Sequence, residues 1–445
     1  MQVLIGILVI AVLALSIGRL MQQRGRTRRQ RADRGKPLEI GTEIPTFNLI
    51  ALGGKETGKT VLLASMFHLL NTEMEDGRFR LQTSLEQSVQ LADLYHTLVS
   101  PKPEDWPPGT KTGDIRSFTF ECIGSAGGDE FPILNFNYLD FAGELLGGSG
   151  AQQEGLELRE GWKDLEQRVE AAHALFGIID GRLMLACLHG DPEGESYMEN
   201  SITPMIGVMR KAKCPIHFIL TKWDLFDDKT ASDEVMDEDE RLAEVRRRLL
   251  SQDQIRNLVE RRKLEKRIVR LIPLSAIGRQ FATPDAEGHM VKRKSGRRLR
   301  PINIEIPLCS VLPDLFGQIE EQLDQASEQK IMAERRARAR LTPKESLAAV
   351  GKFLALPAGV ALRTAADIAI GRTAFSDRIA DMFIDWVGRP FDDKMADVDA
   401  AVDDAWLRLR ELKLARQAVL QEFSERMIVL KRQLPASDLT GGSRP

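Results

Sequence analysis

Residues 53 to 60 read Gly-Gly-Lys-Glu-Thr-Gly-Lys-Thr and follow directly on the apolar run Phe47-Asn48-Leu49-Ile50-Ala51-Leu52. This G-x-x-x-x-G-K-T spacing between an apolar run and a helical pattern predicts a strand, a phosphate-binding loop and a helix in succession. Glycines at both ends let the backbone curl until its N–H groups point inward, and the helix that follows adds its positive end. Lys59 is placed to reach the β- and γ-oxygens of a nucleoside triphosphate and the Thr60 hydroxyl to hold magnesium. Leu62, Leu63, Met66, Phe67, Leu69 and Leu70 supply the apolar face of the helix.

The loop fixes what the rest of the chain must do, since a strand ending in such a loop belongs in a parallel sheet. Apolar runs at 46–52, 115–122, 132–139, 174–180, 215–221 and 268–274 predict six strands alternating with helices, an α/β arrangement with helices on both faces. The second and third strands alternate polar and apolar residues and predict an edge pair with one wet face, whereas 175–179 and 216–220 are continuously apolar and predict central strands. Pro101, Pro103, Pro107, Pro108 and Gly109 mark irregular chain ahead of the second strand. Residues 226–267 are highly charged and helical by composition, with a solvated face, and the basic loop 292–298 is expected on the surface.

Outside this region the composition changes. Met1 to Ile17 is almost wholly apolar, and Arg19, Arg24, Arg26, Arg28, Arg29, Arg31, Arg34 and Lys36 follow it against the single acid Asp33. Positive charge after, not before, the apolar run predicts an uncleaved anchor over 1–20 with its N-terminus outside and the rest of the chain in the cytoplasm. The basic linker, residues 21–42, would lie against anionic headgroups. Net charge is only −3, so nothing points to nucleic acid as a partner. Cys122, Cys187, Cys214 and Cys309 form no C-x-x-C pair and are expected as reduced, buried thiols. A helical region is expected over 331–445. Thr342-Pro343-Lys344-Glu345 reads as a capping box opening an Ala- and Val-rich helix, and Leu420, Phe423, Met427, Leu430 and Leu434 recur as a coiled-coil seam or one helix of a small bundle.

Three further segments stand at predicted strand ends. Asp140-Phe141-Ala142-Gly143 places an aspartate able to hold magnesium through water and a glycine N–H able to sense a γ-phosphate. Thr221-Lys222-Trp223-Asp224 offers a carboxylate that can accept from N1–H and N2 of guanine together, with the Lys222 stem along the base plane. Ser275-Ala276-Ile277-Gly278 offers a backbone N–H to guanine O6. All four segments fall at carboxyl ends of strands, where open α/β sheets bind ligands.

On these motifs residues 43–330 resemble the Ras-like GTPase superfamily of P-loop proteins, with long insertions and a single anchor similar to bacterial double-GTPase-type members of the inner membrane. The resemblance implies GTP and magnesium as cofactors. Gly53, Gly54, Lys55, Glu56, Thr57, Gly58, Lys59, Thr60 and Val61 would surround the phosphates, and Thr221, Lys222, Asp224, Ser275, Ala276 and Ile277 the base. Thr60, Asp140 and a threonine ahead of the second strand, Thr110 or, by proximity to Ile115, Thr112, would serve the metal. Lys59, Gly143 and Glu144 would serve turnover. Glu144 stands where many members carry a water-orienting glutamine, so hydrolysis is expected to be slow or to need a partner. T-K-x-D is also found in dynamin-like GTPases. The implied activity is a GTP/GDP switch acting on a protein partner through its switch loops or C-terminal helices. Its alternatives are a scaffold with a structural, non-hydrolysing GTP site and a membrane-remodelling enzyme.

Overall fold

The computed structural model describes residues 44–72, 77–109, 115–141, 164–227, 237–285, 287–293, 299–320, 379, 382–383 and 400–441. The anchor and basic linker expected at 1–42, the capping box at 342–345, Thr110, Thr112, Gly143, Glu144 and the basic residues 294–298 lie outside them. The chain divides into residues 44–398 with 406–445, which hold the sheet, and residues 1–43 with 399–405. Among the described residues no helix is long and apolar enough to cross a membrane.

In chain order the elements are β1 (Thr46–Leu52), α1 (Lys59–Leu70), β2 (Phe79–Gln82), α2 (Leu85–Val99), β3 (Ile115–Ala126), β4 (Asp129–Phe141), β5 (Ala174–Ile179), α3 (Gly181–Leu188), α4 (Pro192–Tyr197), α5 (Thr203–Met209), β6 (Ile216–Leu220), α6 (Glu238–Ser251), α7 (Asp253–Leu264), β7 (Val269–Pro273), β8 (Ala282–Pro284), β9 (Met290–Lys292) and α8 (Ala400–Gln433). Residues 306–320 are also helical. The sheet has seven strands in the order β2-β3-β4-β1-β5-β6-β7. Pairing is parallel from β4 through β1, β5 and β6 to β7, and antiparallel from β2 through β3 to β4.

Six strands were expected, and the seventh is Phe79–Gln82. Its four residues are too few to announce a period, although Phe79 and Leu81 point inward while Arg80 and Gln82 do not. It caps the antiparallel side, so β3 and β4 are interior strands and not the predicted edge pair. Their wet face is real: Ser117 and Thr119 are exposed while Phe118 and Phe120 are buried. Helix α2 also lies in the stretch ahead of the second predicted strand, opened by Ser84, whose side chain accepts from Gln87 N, and buried through Leu91, Leu94 and Leu98. The prolines at 101–108 do fall in irregular chain.

Strands β5, β6 and β7 are wholly buried, as parallel strands covered on both faces are, and the two polar residues in their mostly apolar runs, His217 and Arg270, both meet Asp314. Side chains alternate between two helical layers. Gly177 faces Met205 and Met209 of α5, whereas its neighbour Phe176 faces His217, which meets Asp314 of the 306–320 helix. Phe120 and Phe136 are cross-strand partners on one face; Phe67 of α1 reaches the first and Phe423 of α8 the second, with ring centroids 5.8 and 6.4 Å apart.

The 420–434 repeat is therefore neither a coiled-coil seam nor a bundle helix. Leu420, Phe423, Met427, Leu430 and Leu434 are buried in the same core as the sheet, and Phe423 also meets Phe79 edge-on at 4.9 Å. Glu422 accepts from the Arg78 backbone N–H, and Arg426 joins Glu422 to Glu305. After α8 the chain crosses to the opposite edge, where Leu439 N donates to Val269 O of β7 and Asp438 approaches Arg270. All four cysteines are free and buried.

Candidate functional site

The parallel strands release their carboxyl ends into one cleft of about 870 Å³, a size usual for small-molecule sites. Lys55 to Val61 of the glycine loop, Thr221, Lys222, Asp224, Ser275, Ala276 and Ile277 all line it, while Gly53 and Gly54 are not among its lining residues. These segments lie far apart in the chain and meet because β1, β5, β6 and β7 are adjacent and parallel.

The glycine loop is built around a lysine. Lys59 Nζ donates to the carbonyls of Gly53, at 2.8 Å, and Gly54, at 2.9 Å, so the loop wraps its own ammonium. Gly58 makes the turn possible by taking φ +90° at the cap of α1, a conformation a β-carbon would strain. Glu56 takes φ +63° without that freedom, a strain of order 1 kcal/mol or more that the surrounding structure must hold. Burial pushes the Lys59 ammonium below its usual range, and Asp140 pulls it partway back. A buried cation at a helix start is a receptor for an anion.

Asp140 sits at the end of β4, beside Ala51 of β1 and 3% exposed. Together with the buried Thr60 at the start of α1 it puts two hard oxygen donors next to the loop, the chemistry that suits Mg²⁺. Among the described residues no preformed cluster of three His, Cys, Asp or Glu side chains is present. Thr112, Gly143 and Glu144 lie outside the described residues.

Thr221 couples the strand-end motif to the loop. Its Oγ1 lies 2.8 Å from Thr57 O and 3.0 Å from Ile179 O, so its proton is shared between two buried carbonyls. Lys222 takes φ +54° and donates to Asp180 Oδ2 at 2.6 Å. Asp180 closes β5 and caps α3 through Arg182 N, so the Lys222 stem is held between two strand ends. Trp223 is fully buried, donating from Nε1 to Glu238, which locks the turn that presents Asp224 to the cleft. In the third segment, Ser275 Oγ accepts from Gly278 N at 2.8 Å, while Ser65 of α1 donates to Ala276 O at 2.7 Å. Val61 packs with Ile277 in a small apolar cluster, tying the helix of the loop to this segment a second time.

Several wall residues escape motif reading. Asp180 and Arg182 follow the apolar run of β5 as Asp-Gly-Arg, a strand-to-helix signal that could have marked them. Arg182 makes a double hydrogen bond to Glu193 at 2.9 and 2.7 Å. Trp106 enters from the proline-rich stretch, and Glu287, Gly288, His289 and Met290 from the β8–β9 hairpin. Turn residues between Phe281-Ala282 and Met290-Val291 signal that hairpin, but nothing local says that it returns to the cleft.

Among known proteins, no family model matches this chain and no curated protein matches its sequence.

Proposed function

We propose that the chain is a Ras-like P-loop GTPase that binds Mg–GTP in this cleft, hydrolyses it slowly, and uses its nucleotide states to change contacts with a protein partner beside a membrane held by residues 1–20. The observation that carries the reading is the meeting, in one cleft at the carboxyl ends of parallel strands, of a phosphate-type loop around Lys59, Lys222 and Asp224 of the T-K-W-D turn and the Ser275-Ala276 segment, with the buried Asp140 near enough to act on the Lys59 charge.

In this reading the loop N–H groups and Lys59 take the phosphate charge, which replaces the carbonyls of Gly53 and Gly54 as partners of the ammonium. Thr60 and, through water, Asp140 would hold Mg²⁺, and the ion would supply charge neutralisation at the phosphates. Asp224 accepts from the guanine N1–H and N2 amine, and Lys222, fixed by Asp180, covers the base plane. The apolar run and basic flank of residues 1–40 support the anchor, and the resemblance carried by the motifs supports a switch in the loop near Thr110 and the segment after Gly143.

Single-turnover hydrolysis of γ-labelled GTP by the full chain, set against Lys59→Ala, tests the enzyme. Phosphate release is expected from the first and not the second; equal release by both removes the enzyme reading. Competition by ATP tests the base assignment. Wild type is expected to prefer GTP, and Asp224→Ala to lose about 10- to 100-fold of that preference, the scale of hydrogen bonds to a charged group. Equal affinity of the wild type for ATP and GTP removes Asp224 from that role.

A further inference from the structure

The β8–β9 hairpin rises directly from the Ser275–Gly278 segment and spans the cleft between two banks. On one bank the Trp106 indole N–H donates to Met290 O at 2.7 Å. Lys292 strengthens this side. Its ammonium donates to Thr97 O at 2.9 Å and Ser100 O at 3.2 Å, carbonyls at the end of α2, and lies 5.3 Å from the Trp106 ring centre. Lys292 N donates to Pro103 O. On the other bank the hairpin tip rests on Arg182. A β-carbon added at Gly288 would come within 2.8 Å of Arg182 Nη1, and that guanidinium is fixed by Glu193.

Asp285 ties the described residues of the tip together. Asp285 Oδ1 accepts from Glu287 N and His289 N at 3.0 and 2.8 Å, and Asp285 N donates to His289 O at 2.9 Å. A turn saturated in this way moves as a unit. Its base is set by Ile277 and Ala282, which pack with Met290 and Trp106.

We propose that this hairpin closes the cleft against nucleotide exchange and that Trp106 is its positioning residue, so that nucleotide enters and leaves when the Trp106–Met290 bond parts. The inference rests on the nucleotide reading above and adds to it a barrier that none of the phosphate or base motifs contains. The hairpin contributes no charge-assisted bond to the ligand; it acts on the path. A barrier and a binding contact are separable, because lowering a barrier speeds capture and release alike whereas losing a contact speeds release alone.

Stopped-flow capture and release of fluorescent GDP by the full chain tests this, with Trp106→Phe removing the donor while keeping a ring and Gly288→Ala disturbing the opposite bank at φ +84°. In both variants capture and release are expected to quicken together by about tenfold, the scale of one neutral hydrogen bond, with affinity changed less than about threefold. Release faster at unchanged capture, or both rates unchanged in both variants, overturns the proposal while the nucleotide reading stands. Absence of saturable guanine-nucleotide binding by the wild type overturns both. A fall in the fraction of competent protein at unaltered rates, read from the same amplitudes, assigns Trp106 a folding role only and overturns the proposal.

Discussion

The Thr221 hydroxyl and the Thr57 carbonyl are 2.8 Å apart, so the end of β6 and the crest of the glycine loop are one mechanical piece. Thr221→Val keeps the shape and deletes the proton, taking the side-chain donor from the buried Thr57 carbonyl while Ile179 O keeps the Thr221 backbone N–H. About 1–3 kcal/mol of destabilisation is expected, divided between the loop and the fold. A titration with fluorescent GTP beside a urea melt checks it; unchanged values in both would show that the pin carries no energy.

Lys59 supplies a pH dependence with a definite sign. Its folded, ligand-free pKa is lowered by burial, while a bound polyanion favours the charged form. Affinity for GTP is therefore expected to be flat below the lowered pKa and to fall about tenfold per pH unit above it, earlier in the alkaline range than an ordinary lysine near 10.4 would allow. Affinities measured from about pH 7 to about pH 10 decide it. A profile that bends only where free lysine titrates would mean that the ammonium is not desolvated.

A second titration concerns stability. Asp314 is fully buried between Arg270 and His217, and the Arg270 guanidinium with the His217 hydrogen bond outweighs burial, holding its carboxyl far below the carboxylate range. A depressed folded pKa contributes stability that is complete above the unfolded value, about 3.9, and is lost as pH falls through that value toward the folded one. Asp314→Asn removes one partner of a buried pair and is expected to cost about 3–5 kcal/mol at neutral pH. The difference from wild type should shrink in acid, measured by guanidinium melts at both pH values.

Packing of α8 gives a contrast within one helix. Phe423 is fully buried against Phe79 and Phe136, whereas Val429 is 46% exposed. Phe423→Ala is expected to cost about 3–5 kcal/mol and Val429→Ala less than about 0.5 kcal/mol. Similar urea midpoints for the two would mean that the helix does not belong to the cooperative core.

What could be read from residues alone follows from how local the cause is. The boundaries of β1 were legible to the residue and those of β5, β6 and β7 to within one, because short, mostly apolar runs admit few registers. The motif residues of the cleft were legible because each is fixed by chemistry at a strand end. Asp180 was not, since a buried aspartate after a strand looks like any cap until Lys222 arrives from β6. Neither was Trp106, whose partner is a carbonyl far along the chain. For α8 the period was visible and its target was not: an apolar stripe does not say whether a helix or a sheet will cover it.

Arg270 belongs to the last strand of the sheet, yet part of its charge environment comes from Asp438, and the outer edge of that strand is bonded by Leu439. On a ribosome these partners emerge long after β7 itself. The sheet must therefore wait with its final strand unclosed while some one hundred and seventy further residues are made, counted from position 270 to position 438. Domains commonly mature from the N-terminal side during synthesis. Here the order is inverted, and a chain stalled before position 438 exposes a bare β edge to whatever chaperone or neighbour is present.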